Sequence, residues 1–255
     1  MARKTRPILS ATGGTPTGGK LPDAFNAGID RFLAIQRPVV LAHLRSIRKR
    51  HPNAGPDQLI AILGRRYLAA VTTGGAAVGV TAVIPAIGTG VTLALSGFET
   101  AAFLEATALY AQSMSEVHGI AVDDPERARA LVLTMMLGRE GSDLVRQLAG
   151  EAVGSGANRK TYWGELITAS LPAAVVGPLV DKLKKVFIRQ FAVRGGTTLI
   201  ARAIPFGVGA VVGGVGNNIL GRRVVHNSRL AFGSAPTDFA PALDPRVRLV
   251  VVDPS

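Results

Sequence analysis

The chain contains no cysteine, which excludes a disulfide framework, a thiolate metal site and a cysteine nucleophile. Such a composition fits a reducing compartment. Aromatic residues make up only 5%, so a core must be assembled from Ala, Val, Leu and Ile, and stacking platforms for single-stranded nucleic acid are scarce. His43, His51, His118 and His226 are scattered, with no HExxH or other paired-ligand spacing for a metal. No G-x-S-x-G elbow is present. Gly207 and Gly209 are followed by Val212 where a dinucleotide fingerprint needs its third glycine. Gly14, Gly19 and Lys20 have the spacing of a phosphate loop, but Leu21 stands where the magnesium-binding hydroxyl belongs, and Pro22 follows. No catalytic residue, cofactor or metal is therefore expected. Acidic residues are also short: 17 Asp+Glu against 29 Lys+Arg leave a formal charge of +12. That balance favours polyanionic partners, an anionic membrane surface or nucleic acid.

Two long stretches lack charge altogether. Residues 67–98 and 203–221 are built mostly from Ala, Val, Gly, Thr and Ile. Each holds an Ile-Pro pair followed by glycines: Pro85 with Gly88 and Gly90, and Pro205 with Gly207 and Gly209. A membrane-spanning helix needs about 20 apolar residues, but an interior proline breaks the hydrogen-bond ladder. The arms around Pro85 suit a helical hairpin with its tip near Gly88. Gly75 and Gly79 fall four apart on one helical face, as do Gly209 and Gly213. That spacing lets helix backbones approach closely in lipid and in tight protein cores alike, so both readings stay open. The two runs are expected to pack on one another. Glu99, at the mouth of the first run, is a candidate rim carboxylate.

The remaining pattern is helical. Residues 1–20 form a basic leader rich in Gly, Thr and Pro, without the continuous apolar core of a signal peptide, so no export is expected. Residues 21–232 read as one all-α domain, and residues 233–255 as a Pro-rich flexible tail. Residues 23–50 repeat apolar side chains at helical spacing, bent or split at Pro38, and end in a basic patch at Arg45, Arg48, Lys49, Arg50 and His51. Asp124, Pro125 and Glu126 are a cap, a first-turn proline and a dipole-complementing acid. A break is expected over residues 138–141. Residues 181–194 form the most regular amphipathic helix. Leu183, Val186, Phe187 and Phe191 make one stripe, flanked by Lys182, Lys184, Lys185 and Arg189. Lys182, Lys184, Lys185, Phe187, Arg189 and Phe191 are candidate contacts for anionic lipid, although an ordinary surface helix shows the same pattern. Gly195 and Gly196 are expected to stop it.

Three segments in order resemble the EcsC family of bacterial proteins. Gly74 and Gly75 lead to Pro85 and Gly88, with an acid at Glu99. His118, Gly119 and Ile120 precede the run from Asp123 to Arg127. Ile204, Pro205, Gly207, Gly209 and Gly213 lead to Asn217, Arg222 and Arg223. The family favours Tyr where His118 stands and Asp where Glu99 stands. The resemblance covers roughly residues 60–232 and implies a mainly helical, membrane-associated protein with no assigned reaction.

The sequence thus leads to a non-enzymatic helical protein that contacts anionic lipid, or a membrane protein, at the cytoplasmic membrane face. A soluble helical scaffold is the second reading, and nucleic-acid binding through the basic surface is the third.

Overall fold

A computed structural model describes residues 33, 35–81, 89–153, 162–201 and 208–243; side chains are described outside 75–81, 89–101, 153, 190–201 and 208–214. Eight helices, and no strand among the described residues, follow in order: α1 (Arg37–Arg50), α2 (Pro56–Thr81), α3 (Thr89–Val117), α4 (Pro125–Leu137), α5 (Arg139–Val153), α6 (Trp163–Glu165), α7 (Ala173–Ala201) and α8 (Val208–Phe232). A π-helical turn, Leu166–Ser170, continues α6, and a 3-10 turn, Pro241–Leu243, follows α8. The all-α expectation is met.

Local chemistry sets several of the boundaries. Gln36 is extended and Pro38 lies in the first turn of α1, where the missing N–H breaks no helical bond. Residues 35 and 36 are non-helical, so the helix expected over residues 23–50 splits there. The Asp124 carboxylate accepts from the Glu126 amide at 2.8 Å, capping α4 as its sequence suggested. Gly138, at φ 65°, separates α4 from α5, a conformation that a Cβ disfavours. The break is that single residue rather than 138–141. Gly141 lies inside α5, where a Cβ would come within 3.0 Å of the Thr134 backbone.

Helix α4 is the centre of the bundle. Ala128, Ala130, Leu131, Val132, Leu133, Thr134 and Met135 are all buried, so it is covered on every side, as an all-round apolar helix must be. Helices α3, α5, α7 and α8 pack around it. Arg127, at its first turn, donates to the Ile167 carbonyl at 2.5 Å and the Leu171 carbonyl at 2.7 Å. It thereby satisfies carbonyls within and just after the π turn.

Helix α2 makes its most extensive contact with α8. A Cβ on Gly64 would stand 3.7 Å from Val225, and one on Gly221 would stand 3.0 Å from both Leu68 and Val71. Asn218 donates to the Thr72 hydroxyl at 2.8 Å. Later residues of α2 thus meet earlier residues of α8, and the pair is antiparallel. The rings of Tyr67 and Tyr110 stack at 4.7 Å, tying α2 to α3. Their hydroxyls reach Thr107 and Ser228, each at 2.9 Å. Because Thr107 and Ser228 give their own hydrogens to backbone carbonyls, the tyrosines are the donors.

Two expectations change. Helix α7 runs from Ala173 through Gly195 and Gly196 to Ala201. Glycine permits a helix stop but does not impose one, since an interior glycine costs only about 1 kcal/mol. The chain after α8 does not leave the bundle at Gly233. Leu243 is buried, and the Phe239 ring lies 4.0 Å from the Arg48 guanidinium, so residues 233–243 are docked. Val247 to Val252, expected at most as a short edge strand, lies outside the described residues.

Glycine positions separate tight packing from open space. A Cβ on Gly164 would meet the Ala231 carbonyl and the Phe232 ring at 2.8 Å, whereas one on Gly216 would meet nothing within 4 Å. Gly164→Ala should cost about 1–3 kcal/mol by overpacking. Gly216→Ala should stabilise by about 0.5–1 kcal/mol through helix propensity. Urea melts measure both; a stabilising Gly164→Ala would contradict the packing.

Candidate functional site

The basic residues collect at one corner. Val40, Leu44 and Ile47 face the core from α1, which turns Arg45 and Arg50 to solvent. Residues 45–66 hold six of the Lys and Arg residues and one acid, Asp57. Arg48, Lys49 and Arg50 occupy the last turn of α1, where cations complement the helix dipole. A groove of about 630 Å³ opens between this turn and the start of α2, lined by Arg50, His51, Asn53, Gln58, Ile62 and Arg65. His43 is held below its ordinary pKa first by burial and then by the charge of Arg66.

Above this corner the surface of the α2–α8 pair changes character. On α2, exposed Arg65 and half-buried Arg66 are followed by exposed Ala69, Ala70 and Thr73. On α8, read in the opposite direction, exposed Arg223 and Arg222 give way to Leu220, Ile219 and Val215, which are 41%, 48% and 50% exposed. The antiparallel register sets the two arginine pairs at the same height. Arg222 is pinned there: its Nε donates to Asn218 at 2.7 Å, and Asn218 donates to Thr72. Helix α3, joined to α2 at the tyrosine stack, has uncharged first turns, residues 89–98.

Helix α7 divides its amphipathic residues differently. Leu183 is buried, and Val186 and Phe187 pack against the core, so the inner part of the stripe serves the protein's own interior. Lys182 and Lys185 are exposed, Lys184 is partly buried, and Arg189 pairs with Glu140 of α5 at 2.9 Å. The Phe191 side chain lies outside the described residues. Gly75, Gly79, Gly209 and Gly213 have helical backbones, and Glu99 lies on α3. The side-chain surroundings of these five fall outside the described residues, as do Pro85, Gly88 and Pro205 altogether.

One polar cluster had no signal in the sequence. Glu116, nearly buried near the end of α3, accepts from Arg37 Nε at 2.5 Å and Nη2 at 3.3 Å. Arg37 also approaches Asp123 at 3.5 Å, and its pairing with Glu116 raises its pKa further. A 79-residue separation hides this pair from local pattern reading. It fastens the start of α1 to the end of α3, beside a cavity of about 270 Å³.

Among the described residues, no group of three or more His, Cys, Asp or Glu could hold a metal. None of their helices is long and apolar enough to cross a membrane. No family model, no curated protein and no solved structure matches the chain. The EcsC resemblance therefore rests on the motifs alone.

The histidines carry a pH prediction. His118 stacks on Phe232 at 5.0 Å, and its Nδ1 donates to the Met114 carbonyl at 2.7 Å. Burial lowers its pKa, partly offset by backbone bonds to Met114 and Ser234 and by Glu165. His43 and His118 thus stay neutral in the fold after the unfolded chain has begun to bind protons near pH 6.5. Their contribution is complete above that pH and is lost as pH falls from there toward the folded values. The Tm should drop between about pH 7 and pH 5, and His43→Gln with His118→Gln should flatten the drop. An unchanged slope in the double variant would contradict the assignment.

Proposed function

We propose that this chain is a non-enzymatic, EcsC-like helical protein that docks on an anionic lipid surface at the cytoplasmic membrane face. The uncharged ends of α2, α3 and α8 enter the interface, and Arg65, Arg66, Arg222 and Arg223 meet the headgroups. The observation that carries this reading is the step on α8 from exposed Arg222 and Arg223 to exposed Leu220, Ile219 and Val215. Continued at the same register, the α2–α8 pairing brings Gly75 and Gly79 level with Gly213 and Gly209, where close backbone approach offsets the helical cost of glycine. Exposed Lys182 and Lys185 add to the positive field. Interfacial docking needs no spanning helix. The inward packing of Val186 and Phe187 favours the second reading, a soluble scaffold, for α7 itself.

Both driving forces can be removed separately. Each cation near an anionic surface contributes about 1 kcal/mol, weakened as salt shortens the Debye length. Burying an apolar side chain contributes about 25 cal/mol per Å² removed from water. Sedimentation with phosphatidylglycerol vesicles should show binding that weakens at least tenfold between about 50 and 500 mM salt. Ile219→Glu with Leu220→Glu should weaken it by a similar factor at low salt without lowering Tm, since both side chains are exposed. Equal binding to phosphatidylcholine vesicles, or an unaffected double variant, would reject the proposal.

A further inference from the structure

The groove between α1 and α2 is separate from the apolar step on α8 and has its own chemistry. Two guanidinium groups reach it from different helices, Arg50 from the last turn of α1 and Arg65 from α2. His51 and the amide side chains of Asn53 and Gln58 complete its polar lining. No acidic side chain lines it, although Asp57 stands beside Gln58 in the chain. Among the described residues neither Arg50 nor Arg65 has an ion-pair partner. Elsewhere in the bundle, Arg37, Arg127, Arg129 and Arg189 each pair with a carboxylate. The first turn of α2 borders the groove with backbone N–H groups that have no helical acceptor. Asp57, in that turn, offsets part of their field. On the other side of the corner, burial first and the charge of Arg66 second hold His43 below its ordinary pKa.

We infer that this groove is a binding site for a phosphomonoester carried on a small polar body, either a free organic phosphate or the headgroup of a lipid. Guanidinium forks match phosphate oxygens two at a time, which a carboxylate satisfies with one fork and a dianionic phosphate with two. The volume of about 630 Å³ exceeds a bare phosphate and leaves room for a polyol. Asn53 and Gln58 carry both donors and acceptors suited to hydroxyls. Arg65 also belongs to the proposed headgroup contact, but binding of a free phosphomonoester needs no membrane. Arg50 and Arg65 precede the uncharged run on α2, and the exposed apolar residues lie on α8.

Calorimetry on the full chain with glycerol 3-phosphate tests the free-ligand source. Vesicles of phosphatidylcholine doped with either phosphatidic acid or phosphatidylglycerol test the lipid source, because only the first presents a phosphomonoester. The expected result is saturable binding of glycerol 3-phosphate, a preference for phosphatidic acid, or both. Arg50→Ala and Arg65→Ala should each weaken the observed binding about tenfold. Arg65→Lys should recover part of it, and Arg146→Ala, an exposed site on α5, should leave it unchanged. Ile219→Glu with Leu220→Glu should retain glycerol 3-phosphate or soluble short-chain phosphatidic acid while losing vesicles, so this site and the membrane reading fail separately. Three results would overturn the inference: no binding of either phosphomonoester, an equal loss in Arg146→Ala, or tighter binding of a DNA duplex with loss spread evenly over all the arginines.

Discussion

The antiparallel contact between α2 and α8 is the constraint on which the rest of the molecule depends. Those helices come from opposite halves of the chain and pair through positions where one side is only a hydrogen, Gly64 against Val225 and Gly221 against Leu68 and Val71. Dispersion contacts accumulate when backbones approach this closely. The pairing fixes the height of Tyr67, whose ring then stacks on Tyr110, and Tyr110 reaches back to Ser228 of α8. Three helices are thereby tied by buried hydroxyls that each have an acceptor. Burial pushes both tyrosine hydroxyls above their ordinary pKa, so they stay protonated and keep their donor role across the physiological range.

The same register gives the molecule an electrical direction. Arg65 and Arg66 close the charged half of α2, and Arg222 and Arg223 close the charged half of α8. An antiparallel pair sets these boundaries side by side instead of at opposite ends. Charge and hydropathy then change together along the bundle, rather than around it as in an ordinary surface helix. The basic groove at Arg50 and Arg65 belongs to the charged half. A chain carrying +12 repels itself, and concentrating cations at one corner is costly for stability unless a polyanion meets them.

Local chemistry in the sequence translated well into structure. The Asp124-Pro125-Glu126 start and the split before Pro38 were legible because capping and proline geometry act within a few residues. The charge-free runs were legible as helical over their described residues. Long-range features were not. Glu116 looked like one more acid on a helix until Arg37 was placed beside it. The groove needs two helices to exist, so the basic patch after Ile47 showed its charge but not its shape. Gly195 and Gly196 misled because glycine lowers the barrier to leaving a helix without requiring departure. The Pro-rich stretch after Gly233 misled because two large apolar side chains, Phe239 and Leu243, suffice to dock it.

The direction of the bundle can be measured with little interference, because a chain without cysteine accepts single spin labels cleanly. One label belongs at Ile219→Cys, at the apolar step of α8. The other belongs at Gln58→Cys, about 20 Å away along the helix pair by helical rise. On addition of phosphatidylglycerol vesicles, the label at 219 should gain collisions with oxygen and lose those with an aqueous nickel reagent. The label at 58 should remain open to the aqueous reagent. Unchanged accessibility at both sites, or entry into the lipid at 58 instead of 219, would contradict the account.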